Sequence, residues 1–236
     1  MTSTTYSSSV GQVVNAPYSL VPQKTARLSL YASITVLLLI AALHFIKPEL
    51  DPSWRMASEY SNGHGGWIMK LAFFIWGLST ISLAIAVKPL LKTMAGRTGR
   101  ILLFVVAAGT IMAGIFNMDP ITISPDQVTT NGNLHGVAAM LGIPILPVAA
   151  LLVSYGLSRT PSLAHARRQA IRSAHFTWIS LAIMFLSIFL MFQETNGKFG
   201  PQGMVGWANR LLIIAYCSWL IVLSRQLLKL NSGKSH

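Results

Sequence analysis

Long apolar runs alternate with short polar interruptions along this chain, and six of the runs approach the length of a bilayer crossing. They lie at Leu28–Ile46, Trp67–Val87, Arg100–Phe116, Leu134–Leu157, Phe176–Phe192 and Trp207–Leu227. A helix needs roughly 20 such residues to cross a hydrocarbon core about 30 Å thick. The pattern predicts an all-α fold, one domain of six transmembrane helices over residues 28–227, between an N-terminal tail (1–27) and a C-terminal tail (228–236). The third and fifth runs are short by a few residues, so their helices must borrow from the flanks. Pro144 and Pro147 withdraw backbone donors from the fourth helix and should kink it. Small residues recur in the third helix (Ala107, Ala108, Gly109, Gly114) and the fourth (Ala138, Ala139, Gly142, Ala149, Ala150), which predicts close approach and a central place for both.

Composition agrees with the pattern. Of the 236 residues, 53% are hydrophobic and only 10% charged, whereas a soluble domain carries about a quarter charged residues. A net charge of +12 raises the question of nucleic acid. The Lys and Arg residues, however, sit in short clusters between apolar runs and do not form a basic face, so that partner is set aside. The single cysteine, Cys217, falls inside an apolar run; it permits no intrachain disulfide and argues against a thiolate metal site. The first 24 residues, rich in Ser and Thr, lack the basic start, apolar core and cleavage site of a secretory signal and read as a disordered cytoplasmic tail.

Charge also predicts the orientation. Thirteen of the 18 basic residues fall in the N-tail (Lys24, Arg27), the second-to-third connection (Lys88 to Arg100), the fourth-to-fifth connection (Arg159 to Arg172) and the C-tail (Arg225, Lys229, Lys234). All six acids, Glu49, Asp51, Glu59, Asp119, Asp126 and Glu194, fall in the other set of connections. Cytoplasmic loops retain Lys and Arg, so both termini are expected inside a cell membrane and the acids outside. The cluster of Arg159, His165, Arg167, Arg168 and Arg172 could meet anionic headgroups, but the same rule accounts for it.

Three stretches carry a family likeness: HFIKPELDPSWRMASEYSNGHGGWIMKLAFF (44–74), GIFNMDP with the later TNGNLHGVAA (114–139), and GMVGWANRLL (203–212). With its Pro-rich exit from the first helix, Ser-Glu-Tyr, Phe-x-x-Asp-Pro and His-Gly, the chain resembles the bacterial membrane family known as domain of unknown function 998. The resemblance implies an integral membrane protein of about this length and brings no reaction, substrate or cofactor.

Candidate chemistry therefore rests on residues near the acid-bearing helix ends. Helices starting on that side direct free N–H groups and positive dipole ends towards Glu59, Asp119 and Asp126. Asn131 or Asn133 can cap the fourth helix, which places His135 in its first turn, where the neutral ring is favoured. Taken singly, Asp119 before Pro120 makes a turn and His135 bonds a loop. Taken together, Glu59, Asp119, His135 and Arg210 can line an outward-facing cavity for a lipid or small amphiphile, with Arg210 on an anionic head. Arg210 can equally be a structural clamp on Asp119 or Glu194. A second reading has His64, Asp119 and His135, with Glu59, holding zinc in a membrane hydrolase whose catalytic set would be Asp119, His135 and Glu59. A third places His44 and His135 as axial ligands of one haem. A fourth makes the protein a structural or assembly subunit. No phosphate-cradling Gly loop, nucleophile elbow or acid within an apolar run is present, which argues against an ATPase, a serine hydrolase and an ion-coupled transporter.

Overall fold

The computed structural model describes residues 21–159, 163 and 166–232. Most of the N-tail, His165 of the basic cluster and Lys234 of the C-tail lie outside the described residues. Among the described residues, seven α-helices carry the fold: α1 Gln23–Ile46, α2 Gly66–Val87, α3 Met94–Ile115, α4 Thr130–Gly142, α5 Ile145–Ser158, α6 Arg167–Thr195 and α7 Val205–Ser232. Among the described residues, six helical stretches are long and apolar enough to cross a membrane, with α4 and α5 together forming the fourth.

The helices extend beyond their apolar runs where local capping chemistry allows. α3 begins at Met94, six residues before the run, because Thr93 Oγ1 accepts the Gly96 N–H at 3.1 Å and satisfies an otherwise free donor. α6 gains residues at both ends and closes on Asn196, whose left-handed backbone (φ 53°) ends the helix.

The expected kink in the fourth span is a full break. Pro144 interrupts the ladder between α4 and α5, and Pro147 stands where the helix would supply an N–H to the Ile143 carbonyl. That carbonyl accepts instead from the Tyr216 hydroxyl of α7 at 2.6 Å. A polar group released in an apolar setting thus finds a partner on a neighbouring helix, as a low-dielectric interior demands.

Successive spans pack side by side, α1 on α2, α2 on α3, α3 on α4 and α5, α5 on α6 and α6 on α7, and α7 closes the ring against α1. α3 makes its approaches through glycine: a Cβ on Gly99 would lie 2.8 Å from Leu152, and one on Gly109 the same distance from the Ala138 carbonyl oxygen. The middle of the bundle nonetheless belongs to other helices. The most apolar window of α7 is 61% buried and that of α2 56%, against 44% for α3 and 33% for the α4–α5 span. The third span thus ranks behind α7 and α2 in burial, and the fourth, at 33%, is not the central element that its small residues suggested.

Candidate functional site

At the acid-bearing end, the connection between α1 and α2 folds into a plate that covers the start of α7. Its Ser53 carbonyl accepts the Gly206 N–H at 3.0 Å and the Trp207 N–H at 3.3 Å, supplying the cap that α7 lacks in its own sequence. The approach requires glycine, since a Cβ on Gly206 would lie 2.4 Å from the Pro52 carbonyl oxygen. Two candidate residues hold this plate. Glu59, 1% exposed, accepts from Arg55 Nε (3.0 Å) and Nη2 (2.7 Å), from the Met56 N–H (2.9 Å) and from the Ile121 N–H (3.0 Å) of the next connection. Its carboxylate is fully engaged, and it ties two connections together.

Arg210 is the second, and its partners differ from those expected. It donates from Nε to His44 Nε2 (2.9 Å), from Nη1 to the carbonyls of Arg55 (2.7 Å) and Gly206 (3.0 Å), and from Nη2 to the Tyr60 hydroxyl (3.0 Å), with its guanidinium over the Tyr60 ring. Neither Asp119 nor Glu194 pairs with it, and among the described residues no carboxylate lies within ion-pair distance of it. The clamp is real but is made to uncharged acceptors, because His44 and the plate reach the guanidinium first. His44 Nδ1 in turn donates to the Ile40 carbonyl at 2.7 Å, so both nitrogens of this ring are in use and neither is left for a haem iron.

Asp119 closes the connection between α3 and α4. It accepts from the Thr129 N–H (2.7 Å) and hydroxyl (2.9 Å), while Thr129 Oγ1 accepts the Gly132 N–H at 3.0 Å. Thr129 is therefore the cap of α4, in place of Asn131 or Asn133. The helix begins four residues earlier than its apolar run and His135 sits in the second turn. His135 is buried, and its Nδ1 lies 2.8 Å from the Phe116 carbonyl. A carbonyl only accepts, so Nδ1 carries the proton of the neutral ring and Nε2 is left as an acceptor. His64 and Asp126 are exposed. Among the described residues, no three His, Cys, Asp or Glu side chains group closely enough to hold a metal ion, so His64, Asp119 and His135 do not form a zinc site.

Two cavities meet at His135. The outer one, about 320 Å³, opens between α4 and the α6 side of the bundle; Met118, Ile121, Val128, Met184 and Phe199 give it apolar walls, and Asp119 stands at its edge. The inner one, about 60 Å³, descends between α2, α3, α4 and α7 beside Phe73, Trp76 and Tyr216. Ser58, His135, Ala139, Ile143 and Asn209 line both. Of the four residues expected to converge, Asp119 and His135 share the outer cavity; Glu59 and Arg210 stand behind its wall and line neither cavity.

The family described as a protein of unknown function, DUF998, matches residues 30–226. The chain belongs to the DUF998 family. No curated protein and no solved structure matches it. The DUF998 match spans α1 to α7 and takes in every residue that lines the two cavities.

Two polar residues at the junction of these cavities were not among the sequence candidates. Asn209 accepts the Ala57 N–H on Oδ1 at 3.0 Å, which fixes the amide's direction; among the described residues no protein group accepts from its Nδ2. Ser58 brings a hydroxyl to the same junction. An amide beside Arg210 within an apolar helix was the available signal for Asn209. Ser58 stood only within the Ser-Glu-Tyr stretch of the family likeness, because its place at the cavity depends on how the plate folds.

Proposed function

We propose that this protein binds a lipid or other small amphiphile in the cavity between α4 and the α6 side of the bundle. The observation that carries the reading is a cavity of about 320 Å³ with apolar walls, at whose floor His135 Nε2 and Asn209 Nδ2 have no partner among the described residues. Small-molecule sites have this makeup, mostly apolar surface with a few convergent polar groups, and begin near 300 Å³. α4 packs on α3 and borders the cavity with Gly132, His135, Gly136 and Ala139, while its Val137 and Met140 are exposed, which favours a ligand that arrives from the acyl layer. The positive-inside distribution supports a cell-membrane location with both termini cytoplasmic and the cavity near the outer leaflet. A zinc hydrolase draws no support from this arrangement, since its ligand set is dispersed.

Gly136 offers the test. Gly136 lines the cavity, and among the described residues a Cβ there would meet nothing within 4 Å, so Gly136→Leu adds apolar bulk at the cavity wall from a position that tolerates a Cβ. Lipid extracted from protein purified in mild detergent should contain an amphiphile near one equivalent in the wild type and at least fivefold less in the variant. Equal lipid in both would remove the cavity from consideration and leave a subunit role. Cysteines introduced at Ser124 and Arg97 report orientation, because Cys217 is buried. A membrane-impermeant maleimide applied to whole cells should label the first and spare the second.

A further inference from the structure

The donors and acceptors at the junction of the two cavities specify the head of the ligand. His135 spends its Nδ1 proton on the Phe116 carbonyl, so Nε2 faces the ligand as an acceptor. Asn209 spends Oδ1 on the Ala57 N–H, so its two amide protons face the ligand as donors. Ser58 can serve either way. Trp76, on the inner chamber, adds a buried indole N–H that has no acceptor among the described residues. Charge then narrows the choice. Among the described residues no Lys or Arg lines either cavity, Arg210 is committed to His44, Tyr60 and two carbonyls, and the one charged group that lines them is the Asp119 carboxylate. A phosphate brought here would lose its water, meet a like charge and find no cation, which a low-dielectric site penalises heavily.

We infer that the ligand is a single-chain amphiphile with an uncharged oxygen head bearing a hydroxyl, such as a monoacylglycerol or fatty alcohol, and not a phospholipid. The hydroxyl donates to His135 Nε2 and accepts from Asn209 Nδ2, while the chain lies along Met118, Ile121, Val128 and Met184. The inner chamber, at about 60 Å³, has room for about two waters that can carry the network towards Trp76. This assignment rests on the binding site proposed above and reverses the anionic head expected from Arg210.

Native mass spectrometry from nanodiscs doped at equal mole fraction with 1-monolauroylglycerol, lauroyl lysophosphatidate or dodecyltrimethylammonium tests it with one tail length and three heads. The glyceride should reach at least tenfold higher occupancy than the lysophosphatidate. Asn209→Asp keeps an oxygen for the Ala57 N–H but replaces the free donors; it should cut glyceride occupancy at least fivefold while the thermal midpoint stays within a few degrees. His135→Phe should also cut glyceride occupancy at least fivefold, with a lower midpoint because the Phe116 carbonyl loses its donor. Gly136-sensitive binding that favours a charged head, or glyceride occupancy unmoved in folded Asn209→Asp and His135→Phe proteins, would overturn the head-group inference alone. Absence of binding for all three heads, or binding that survives Gly136→Leu, would overturn the cavity reading with it.

Discussion

Arg210 Nε donates to His44 Nε2 at 2.9 Å, joining α7 to α1 across 166 positions of sequence. The bond needs an unprotonated Nε2, and the His44 Nδ1 bond to Ile40 O holds the ring in that tautomer. Replacing His44 by Leu leaves a buried guanidinium N–H without an acceptor, at a cost of about 1–3 kcal/mol. The expected result is a lower midpoint of thermal unfolding in detergent for His44→Leu and a smaller loss for His44→Gln, whose side-chain carbonyl can accept. Arg210→Met should cost more than either, because it strips partners from Arg55 O, Gly206 O and Tyr60 in addition to His44. Equal midpoints for the wild type and His44→Leu would mean that the bond contributes nothing to stability.

The plate should loosen in acid. The Ser53 hydroxyl and N–H both donate to Asp51 Oδ1, and they hold its carboxyl below the ordinary value of 3.8. A carboxylate with a depressed folded-state pKa contributes stability that is complete above its unfolded value and lost as pH falls through the folded one. The Asp51 contribution is thus present at neutral pH and disappears below about 3.8. Because the same turn presents the Ser53 carbonyl to Gly206 and Trp207, hydrogen exchange at those two amides, corrected for intrinsic rate, should accelerate below that pH. In Asp51→Asn the extra acceleration on acidification should vanish. An identical acid response in both proteins would assign the loosening to another group.

The break in the fourth span predicts a compensated pair. Tyr216→Phe orphans the Ile143 carbonyl in an apolar setting and should cost about 1–3 kcal/mol. Pro147→Ala restores an N–H four residues beyond Ile143, so the Tyr216→Phe substitution should cost at least ~1 kcal/mol less in a Pro147→Ala background. Thermal unfolding of the four proteins of this cycle measures the coupling, and additivity would show that the two groups do not compete for one carbonyl.

The six spans were legible because run length alone distinguishes a membrane helix, and the prolines announced the discontinuity at Ile143. The helix starts were not, since Thr93 and Thr129 cap turns made of polar residues that hydropathy assigns to loops. At the site, Asp119 and His135 stood out as polar residues beside a helix start, and they do share a cavity. Arg210 misled because an arginine near acids in sequence invites an ion pair, whereas its partners are a histidine from another helix and backbone carbonyls of a plate whose fold no local pattern announces. For Asn209 the sequence offered an amide in an apolar helix, but its donor role follows from the Ala57 N–H, which takes one end of the amide and leaves the other unspent.

Two glycines one turn apart on α4 should respond to alanine with opposite signs. At Gly132 a Cβ would lie 2.0 Å from Asp119 Oδ2, inside the turn that Asp119 forms with Thr129, so Gly132→Ala must displace the carboxylate and weaken the cap. Loss of an N-terminal cap costs about 1 kcal/mol, and the steric conflict adds to it. At Gly136 the Cβ meets nothing within 4 Å, and alanine is favoured over glycine within a helix by roughly 0.5–1 kcal/mol. Gly136→Ala should therefore raise the thermal midpoint of ligand-free protein while narrowing the cavity. Added monolauroylglycerol should then stabilise the variant less than the wild type, because a ligand raises the midpoint only as far as its affinity for the folded state allows. Equal stabilisation of both proteins by the glyceride would show that Gly136 keeps no room for a ligand.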